Sequence, residues 1–426
     1  MNAINSPLFE MVKREVSQVT TTCPDSGITR NYETRGHVVK VYVCPLLQVI
    51  DMICQEILAC KRYILLNTSY WDSNSNAVKR IGETLLALDE QLQHQESTVK
   101  VRILIDTGST WHFLGKKRLL IDRIGLPKFD DLPRLDIKIV SYHKTVLGTL
   151  HSKFFVVDGE RAWIMSNNIQ DRPNIEMAVL FGGRVIGEFE TIFFKAFYDD
   201  KTRNQFDVTF LNTEMSCLED VSVSMLFTNR QACGHPMFRS TANPQNRAWL
   251  SAIDLASQQV FIVSPTFNSK DAVRAVIRAI TRNVSVTLLL TLGFNDSKES
   301  LPFQGGTNLT VAQKLWKRAL HLNKTHLLRI VWYVRPDMNM PKKGVHHHVK
   351  YMSADGQIVI FGNGNMDTQS WYYSQEVNIA IGSADTVLEM DSLIWNMQNG
   401  GSETKFVYPE YNTMLPADDG FERFAY

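Results

Sequence analysis

HSKFFVVDGERAWIMSNN (151–168) and HVKYMSADGQIVIFGNGN (348–365) are two copies of one pattern, and that pattern decides the fold. In each copy a histidine is followed by a lysine two residues on, an aspartate five after that and an asparagine ten later. The residues are His151, Lys153, Asp158 and Asn168, then His348, Lys350, Asp355 and Asn365. Ser166 and Asn363 precede the last asparagines by two, and a glutamate soon opens an apolar strand, Glu176 in EMAVLF and Glu376 in EVNIAI. The second copy begins 197 residues after the first (348 against 151). A loose string of this kind arises by chance about 0.12 times in such a chain, so one copy alone says little. Two copies in the same context are the signal.

The surroundings repeat as well. RYILLNTSYW (62–71), VKVRILID (99–106) and DIKIVSYH (136–143) read as strands between helices at 46–60 and 76–95. Ile81, Leu85, Leu86, Leu88 and Leu92 are expected on the inner side of the second helix. A short basic helix is expected at 112–124, and 186–200 reads as a helix. QVFIVSPTF (259–267), VSVTLLLTL (284–292) and LLRIVWYV (327–334) repeat the strands between helices at 249–258, 270–282 and 309–322, and 385–398 is a last helix. Apolar strands separated by helices predict α/β layering around a buried, largely two-sided sheet. The expected organisation is a polar, turn-rich lead-in at 1–36, a first half at 37–205, a connection at 206–245, a second half at 246–400 and a tail at 401–426.

The chain has 426 residues, 44% hydrophobic and 21% charged, which excludes disordered and low-complexity classes. With 45 Lys plus Arg against 44 Asp plus Glu the net charge is +1, so no whole-protein field gathers nucleic acid or anionic membrane. The cysteines Cys23, Cys44, Cys54, Cys60, Cys217 and Cys233 form no C-x-x-C pair and are expected to be reduced. No apolar run reaches the length of a membrane span and no signal-peptide core opens the chain. The expectation is a cytoplasmic monomer, at most peripheral at membranes.

On a strand, residues two apart share a face, so His151 projects with Lys153 and His348 with Lys350. A neutral imidazole can attack phosphorus, an ammonium can neutralise a nonbridging oxygen, and hydroxyl or amide groups can donate to the developing charge. Phosphodiester cleavage uses two imidazoles, one attacking and one protonating the leaving alcohol, and each needs a carboxylate on its other nitrogen, the part given to Glu176 and Glu376. Two halves about a pseudo-dyad would deliver both sets to one cleft.

H-x-K-x4-D-x6-G-S/N-x-N, present twice, resembles the phospholipase D superfamily of HKD phosphodiesterases. The resemblance implies two homologous α/β/α halves, each a mixed sheet flanked by helices and packed about a pseudo-two-fold axis. It also implies a phosphohistidine intermediate and no metal or other cofactor. By the same resemblance His151 and His348 match the catalytic histidines, His151 attacking and His348 acting as acid. Lys153 and Lys350 match the phosphate-binding lysines, Asn168 and Asn365 the phosphate-contacting asparagines, with Ser166 and Asn363 beside them. Asp158 and Asp355, grouped with the catalytic set, match aspartates that mainly buttress the site. Two positions depart from the pattern: Met165 stands at the usual first glycine, where its side chain would crowd the strand end, and Asn363 replaces a serine.

The leading expectation is cleavage of a phospholipid head-group ester by hydrolysis or transfer to an alcohol. The competitors are a nuclease of the same superfamily on DNA or RNA, a cardiolipin synthase-like phosphatidyltransferase, and a silent phosphate-binding module. His37, His112 and His143 are read as satisfied core histidines, and His346-His347-His348 as a weak zinc pattern without acidic or cysteine support. Trp111 and Phe113, in the loop 106–117, and Phe294 and Phe303, in the loop 293–308, are read as packing. Tyr70, Trp71, Trp371, Tyr372 and Tyr373 are placed in the pocket wall.

Overall fold

In the computed structural model the described residues are 5–22, 33–95, 97–106, 117–119, 121–144, 146–198, 223–234, 237, 241–403 and 405–411. The loop residues 107–116, with Trp111, His112 and Phe113, and Cys23 and Cys217 lie outside them.

The strands follow one continuous order, and each half repeats the other's order outward from the centre. At the centre, Glu33–Pro45 and Val223–Arg230 pair antiparallel, Glu33 opposite Leu226 and Gly36 opposite Val223. Outward from Glu33–Pro45 run Ile175–Gly182, Arg161–Met165, Phe154–Val157, Tyr63–Thr68, Val99–Ile105 and Leu135–Ser141. Outward from Val223–Arg230 run Glu376–Ile381, Ile358–Gly362, Tyr351–Ala354, Gln259–Ser264, Ser285–Leu290 and Leu328–Trp332. In each half the last three of these strands are parallel, an antiparallel edge strand (Lys117–Leu119 or Val407–Tyr408) follows, and the rest are antiparallel. The expected fold of two homologous α/β/α halves is therefore present.

Tyr63–Thr68 is buried at every position because both faces are covered, which is why Tyr63–Leu66 reads as an apolar run and Asn67 and Thr68 are buried polar residues. The helix Leu46–Leu58 turns Leu46, Val49, Ile50, Ile53 and Ile57 inward, and the helix Asn76–Gln93 begins where the Ser75 hydroxyl accepts from Val78 N–H. These helices cover the outer face of the first sheet. A second apolar layer fills the seam between the halves, where Phe181 of one stacks on Phe361 of the other at 6.1 Å. A third lies beneath the helices of the second half.

Several expectations need correction. The polar lead-in contains the helix Pro7–Thr22, which buries Leu8, Phe9, Val12 and Val16 in the second half's layer. Gly382 admits it: a Cβ there would stand 2.5 Å from that of Phe9. Glu33–Pro45, whose first four residues fall in the expected lead-in, and Val223–Arg230, in the expected connection, are the central strands. Where 112–124 reads as a helix, Lys117–Leu119 is a strand against Leu135–Ser141. Leu86 faces outward, one helical step from the inward stripe of Ile81, Leu85, Leu88 and Leu92. Trp371 and Tyr373 sit in the second half's core rather than a pocket wall.

Because Phe9 is fully buried across a domain boundary, Phe9→Ala is expected to cost about 3–5 kcal/mol. Denaturant unfolding at constant m-value checks this. A wild-type midpoint would mean the helix contributes no stability.

Candidate active site

Main-chain pairing across the seam places the imidazoles. His151 N–H donates to Gln375 O at 3.0 Å, and His348 N–H to Ile175 O at 2.8 Å. Gln375 and Ile175 immediately precede Glu376 and Glu176, so this register sets each glutamate beside the other half's histidine. His151 Nδ1 lies 2.8 and 3.0 Å from the Glu376 carboxylate oxygens, and His348 Nδ1 lies 3.1 and 2.9 Å from those of Glu176. The carboxylates are exchanged between halves, and both histidines open onto one seam. With Nδ1 held by a carboxylate, Nε2 is the nitrogen left for chemistry.

Lys153 and Lys350 are almost fully buried and donate to the carbonyls of His151 and His348 at 2.5 and 2.6 Å. Burial pushes their pKa values down, Lys153 to about 8 and Lys350 to about 7, against the opposing pull of Glu176 and Glu376. The histidines are held neutral. Burial and the two ammonium groups push His151 well below its usual value, and burial lowers His348 to about 4.

The two glutamates differ. Burial raises both, but Glu176 also faces His348 and Lys350 and accepts from Ser166 Oγ at 2.5 Å and Asn174 Nδ2 at 3.1 Å, so it falls to about 2. Glu376 has fewer donors, and burial carries it up to about 8 against Lys153 and the Ser370 hydroxyl. The copies are thus chemically unequal despite equal spacing.

Asn363 accounts for part of that inequality. Its Nδ2 crosses the seam to the carbonyls of Met165 (2.6 Å) and Lys153 (3.2 Å), far from any glutamate role. The expectation that Ser166 and Asn363 contact phosphate gives way to these assignments: one fixes Glu176, the other ties the halves. Met165 does not crowd the strand end, because its side chain is buried in the first half's outer layer. Its counterpart Gly362 has φ 152° and lies 2.4 Å (as a Cβ) from Val377 O, a place no side chain fits. Asn365 Nδ2 donates to Asp367 at 2.9 Å, and Asn168 Oδ1 accepts from Tyr70 N–H at 3.2 Å.

Asp158 and Asp355 are corrected from catalytic to architectural. Each lies at the far end of its strand from the lysine, at positive φ, and binds backbone N–H groups opening the next strand. Asp158 accepts from Lys61, Arg62 and Tyr63 N–H, and Asp355 from Ser257, Gln258 and Gln259 N–H. Partial burial raises the Asp355 pKa, but these donors outweigh it and the net shift is downward. A lowered carboxyl adds stability above its unfolded pKa and loses it as pH falls through the folded one. Asp355→Asn is therefore expected to lower stability at neutral pH by about 1–2 kcal/mol, as a lost cap does. The gap to wild type should close below about pH 4, and thermal unfolding against pH checks it. A pH-independent gap would contradict this role.

Some partners escaped sequence reading. Asn174 and Ser374 each stand two residues before a glutamate, a shared spacing that marks Asn174. Phe294 packs at 5.6 Å from the His348 ring and edge-on to His346 at 4.9 Å. His143 binds Asp106 through Nδ1 at 2.9 and 3.0 Å, and Asp106 also accepts from Leu150 N–H, next to His151. That carboxylate's hydrogen bond raises the His143 pKa. Among the described residues no three His, Cys, Asp or Glu side chains group as metal ligands, and no helix is long and apolar enough to cross a membrane.

The family described as "Cardiolipin synthase, PLD-like domain" matches residues 53–195 and 249–398, more than half of the chain. No curated protein sequence matches it. Among solved structures it is similar to phosphatidylserine synthase from Haemophilus influenzae Rd KW20, at 12% identity over 91% of both chains and a TM-score of 0.59. It is also similar to Nuc, a phospholipase D family member from Salmonella typhimurium, at 18% identity over 41% of this chain and 95% of that one, with a TM-score of 0.29.

Proposed function

The chain belongs to the phospholipase D-like family, a superfamily of phosphodiesterases and phosphatidyltransferases, and from that premise we propose that it cleaves a phospholipid head-group phosphodiester through a phosphohistidine. The exchanged histidine–glutamate pairs carry the reading. His348, neutral in the free protein, takes up a proton at Nε2 as the negative phosphodiester binds beside it, and the Glu176 carboxylate on Nδ1 stabilises the imidazolium. His151 Nε2 attacks phosphorus, and the bond to the head-group alcohol breaks as His348 gives that Nε2 proton to the leaving oxygen. His348 then takes a proton from water, whose oxygen attacks the phosphohistidine, freeing His151 and phosphatidic acid. An alcohol in place of water gives transfer instead, the second reading, favoured by the matched family's description and by the synthase it resembles in fold. Lys153, Lys350, Asn168 and Asn365 surround the nonbridging oxygens. The balance of 45 basic against 44 acidic residues lacks the excess that phosphate-backbone binding uses, which ranks the nuclease reading lower.

The test is incubation in EDTA with phosphatidylcholine vesicles, with or without a primary alcohol, or with single-stranded DNA and RNA. Choline release is the expected result, and a phosphatidyl-alcohol product marks transfer. Cleavage of nucleic acid alone, or activity abolished by EDTA, contradicts the proposal.

The lowered lysines and the raised glutamate also set a pH profile. A protonated Glu376 leaves a proton on His151 Nε2, so the nucleophile is lost on the acid side of about 8. Lys153 and Lys350, at about 8 and about 7, lose charge and phosphate affinity on the alkaline side. A narrow bell in kcat/KM is expected, and a plateau from about pH 6 to about pH 10 would contradict it.

A further inference from the structure

We propose that the loops beyond Ser285–Leu290 and Leu328–Trp332 form a lip that docks on an anionic lipid bilayer beside His348, an inference that rests on the phospholipid reading and adds the surface from which substrate is drawn. Among the described residues eight large apolar side chains are more than half exposed, and five of them stand on connections leaving the sheets at the active-site end: Val146, Met237, Leu301, Phe303 and Met340. The other three are scattered over Glu33–Pro45 and two flanking helices, as single exposed apolar residues ordinarily are.

Leu301 and Phe303 on one loop and Met340 on the other are 57%, 80% and 53% exposed. Their two loops lie side by side: a Cβ on Gly293 would meet the Lys343 side chain at 2.5 Å, and Thr291 Oγ1 donates to His347 O at 3.4 Å. Phe294, at the root of the first loop, touches the His348 ring, so the exposed tips and the acid–base histidine share one support. The exposed Lys298, Lys342 and Lys343 flank the apolar tips. Of the local acids, Asp296 lies near Lys343, Asp337 is paired with Arg335, and Glu299 is buried with its pKa pushed up to about 8 by burial and by Asp367. The lip's balance is positive.

Apolar tips ringed by lysine, on the rim of a cleft that must receive a head group still attached to its acyl chains, fit an interface of acyl chains and anionic phosphates. A protein partner would meet the apolar tips without explaining the lysines.

Vesicle co-sedimentation tests this with phosphatidylcholine alone and with phosphatidylcholine mixed with phosphatidylglycerol. Turnover of dihexanoyl-phosphatidylcholine below its micellar concentration is followed in parallel. Wild type is expected to pellet with the mixed vesicles, less so as salt rises. The double variant Leu301→Asp/Phe303→Asp should lose at least about tenfold in partitioning, and Lys342→Glu/Lys343→Glu should lose the preference for anionic vesicles, both with soluble turnover unchanged. Wild type that turns over soluble substrate yet stays in the supernatant overturns the docking and leaves the chemistry standing. Variants that pellet like wild type overturn it too, as does concentration-dependent self-association that the apolar double variant abolishes. Failure to turn over any phosphodiester, with pelleting intact, contradicts the function and leaves the docking in place.

Discussion

His151→Ala and His348→Ala are each expected to lower turnover of a phosphodiester by about 10⁴-fold to about 10⁶-fold, the range seen when a nucleophile or its acid–base partner is removed. Without His151 no covalent intermediate forms, because Lys153 is committed to the His151 carbonyl and is a poor nucleophile while charged. Without His348 the alkoxide must leave unprotonated, and water must attack the intermediate unaided. The two losses should not add, since both groups serve one sequence of steps. The double variant is expected within about tenfold of the poorer single one. Steady-state rates at saturating substrate, beside thermal unfolding to confirm the fold, check this. Near-normal activity in either single variant would contradict the two-histidine assignment.

Glu176→Gln is expected to cost about 10²-fold to about 10⁴-fold in turnover, the effect of losing the carboxylate that orients a catalytic imidazole. Its carboxylate accepts from His348, Ser166 and Asn174, and an amide nitrogen in that position opposes at least one donor. Glu376→Gln is expected to cost less at neutral pH, because Glu176 gains donors from Ser166 and Asn174 that favour its ionised form, whereas burial pushes the Glu376 pKa up. The comparison is internal, since both residues sit on matching strands of the two halves. Equal losses, or a larger loss at Glu376, would contradict the inequality of the pairs.

Much of the fold was legible because repetition and burial both leave marks in sequence. The doubled His-Lys-Asp-Asn spacing announced two halves, and the buried strands carry apolar runs such as Tyr63–Leu66 and Leu288–Leu290. The helix Pro7–Thr22 was illegible because its sixteen residues include charged and threonine-rich turns, and its apolar stripe acquires meaning only against a half that begins more than two hundred residues later. Glu33–Pro45 carries Val38, Val39, Val41 and Val43, which suit a strand, but its central place comes from pairing with Val223–Arg230.

At the site, the catalytic types and spacing were visible, whereas the exchange of glutamates was not. Local sequence puts Glu176 near His151; the register of Gln375 against His151 and of Ile175 against His348 sends each carboxylate to the opposite ring. Asp158 and Asp355 misled for the converse reason. Their spacing from the lysines is as regular as the catalytic residues', yet it reflects a turn that must gather three backbone N–H groups. Regular spacing records any repeated constraint, structural or chemical.

The most direct test of the central claim is to quench wild type and His348→Ala with alkali during turnover of phosphatidylcholine and to map the adduct by mass spectrometry. The account predicts a phosphatidyl group on the His151 peptide, accumulating in His348→Ala. An adduct on another residue, or none on either histidine while product forms, would contradict it.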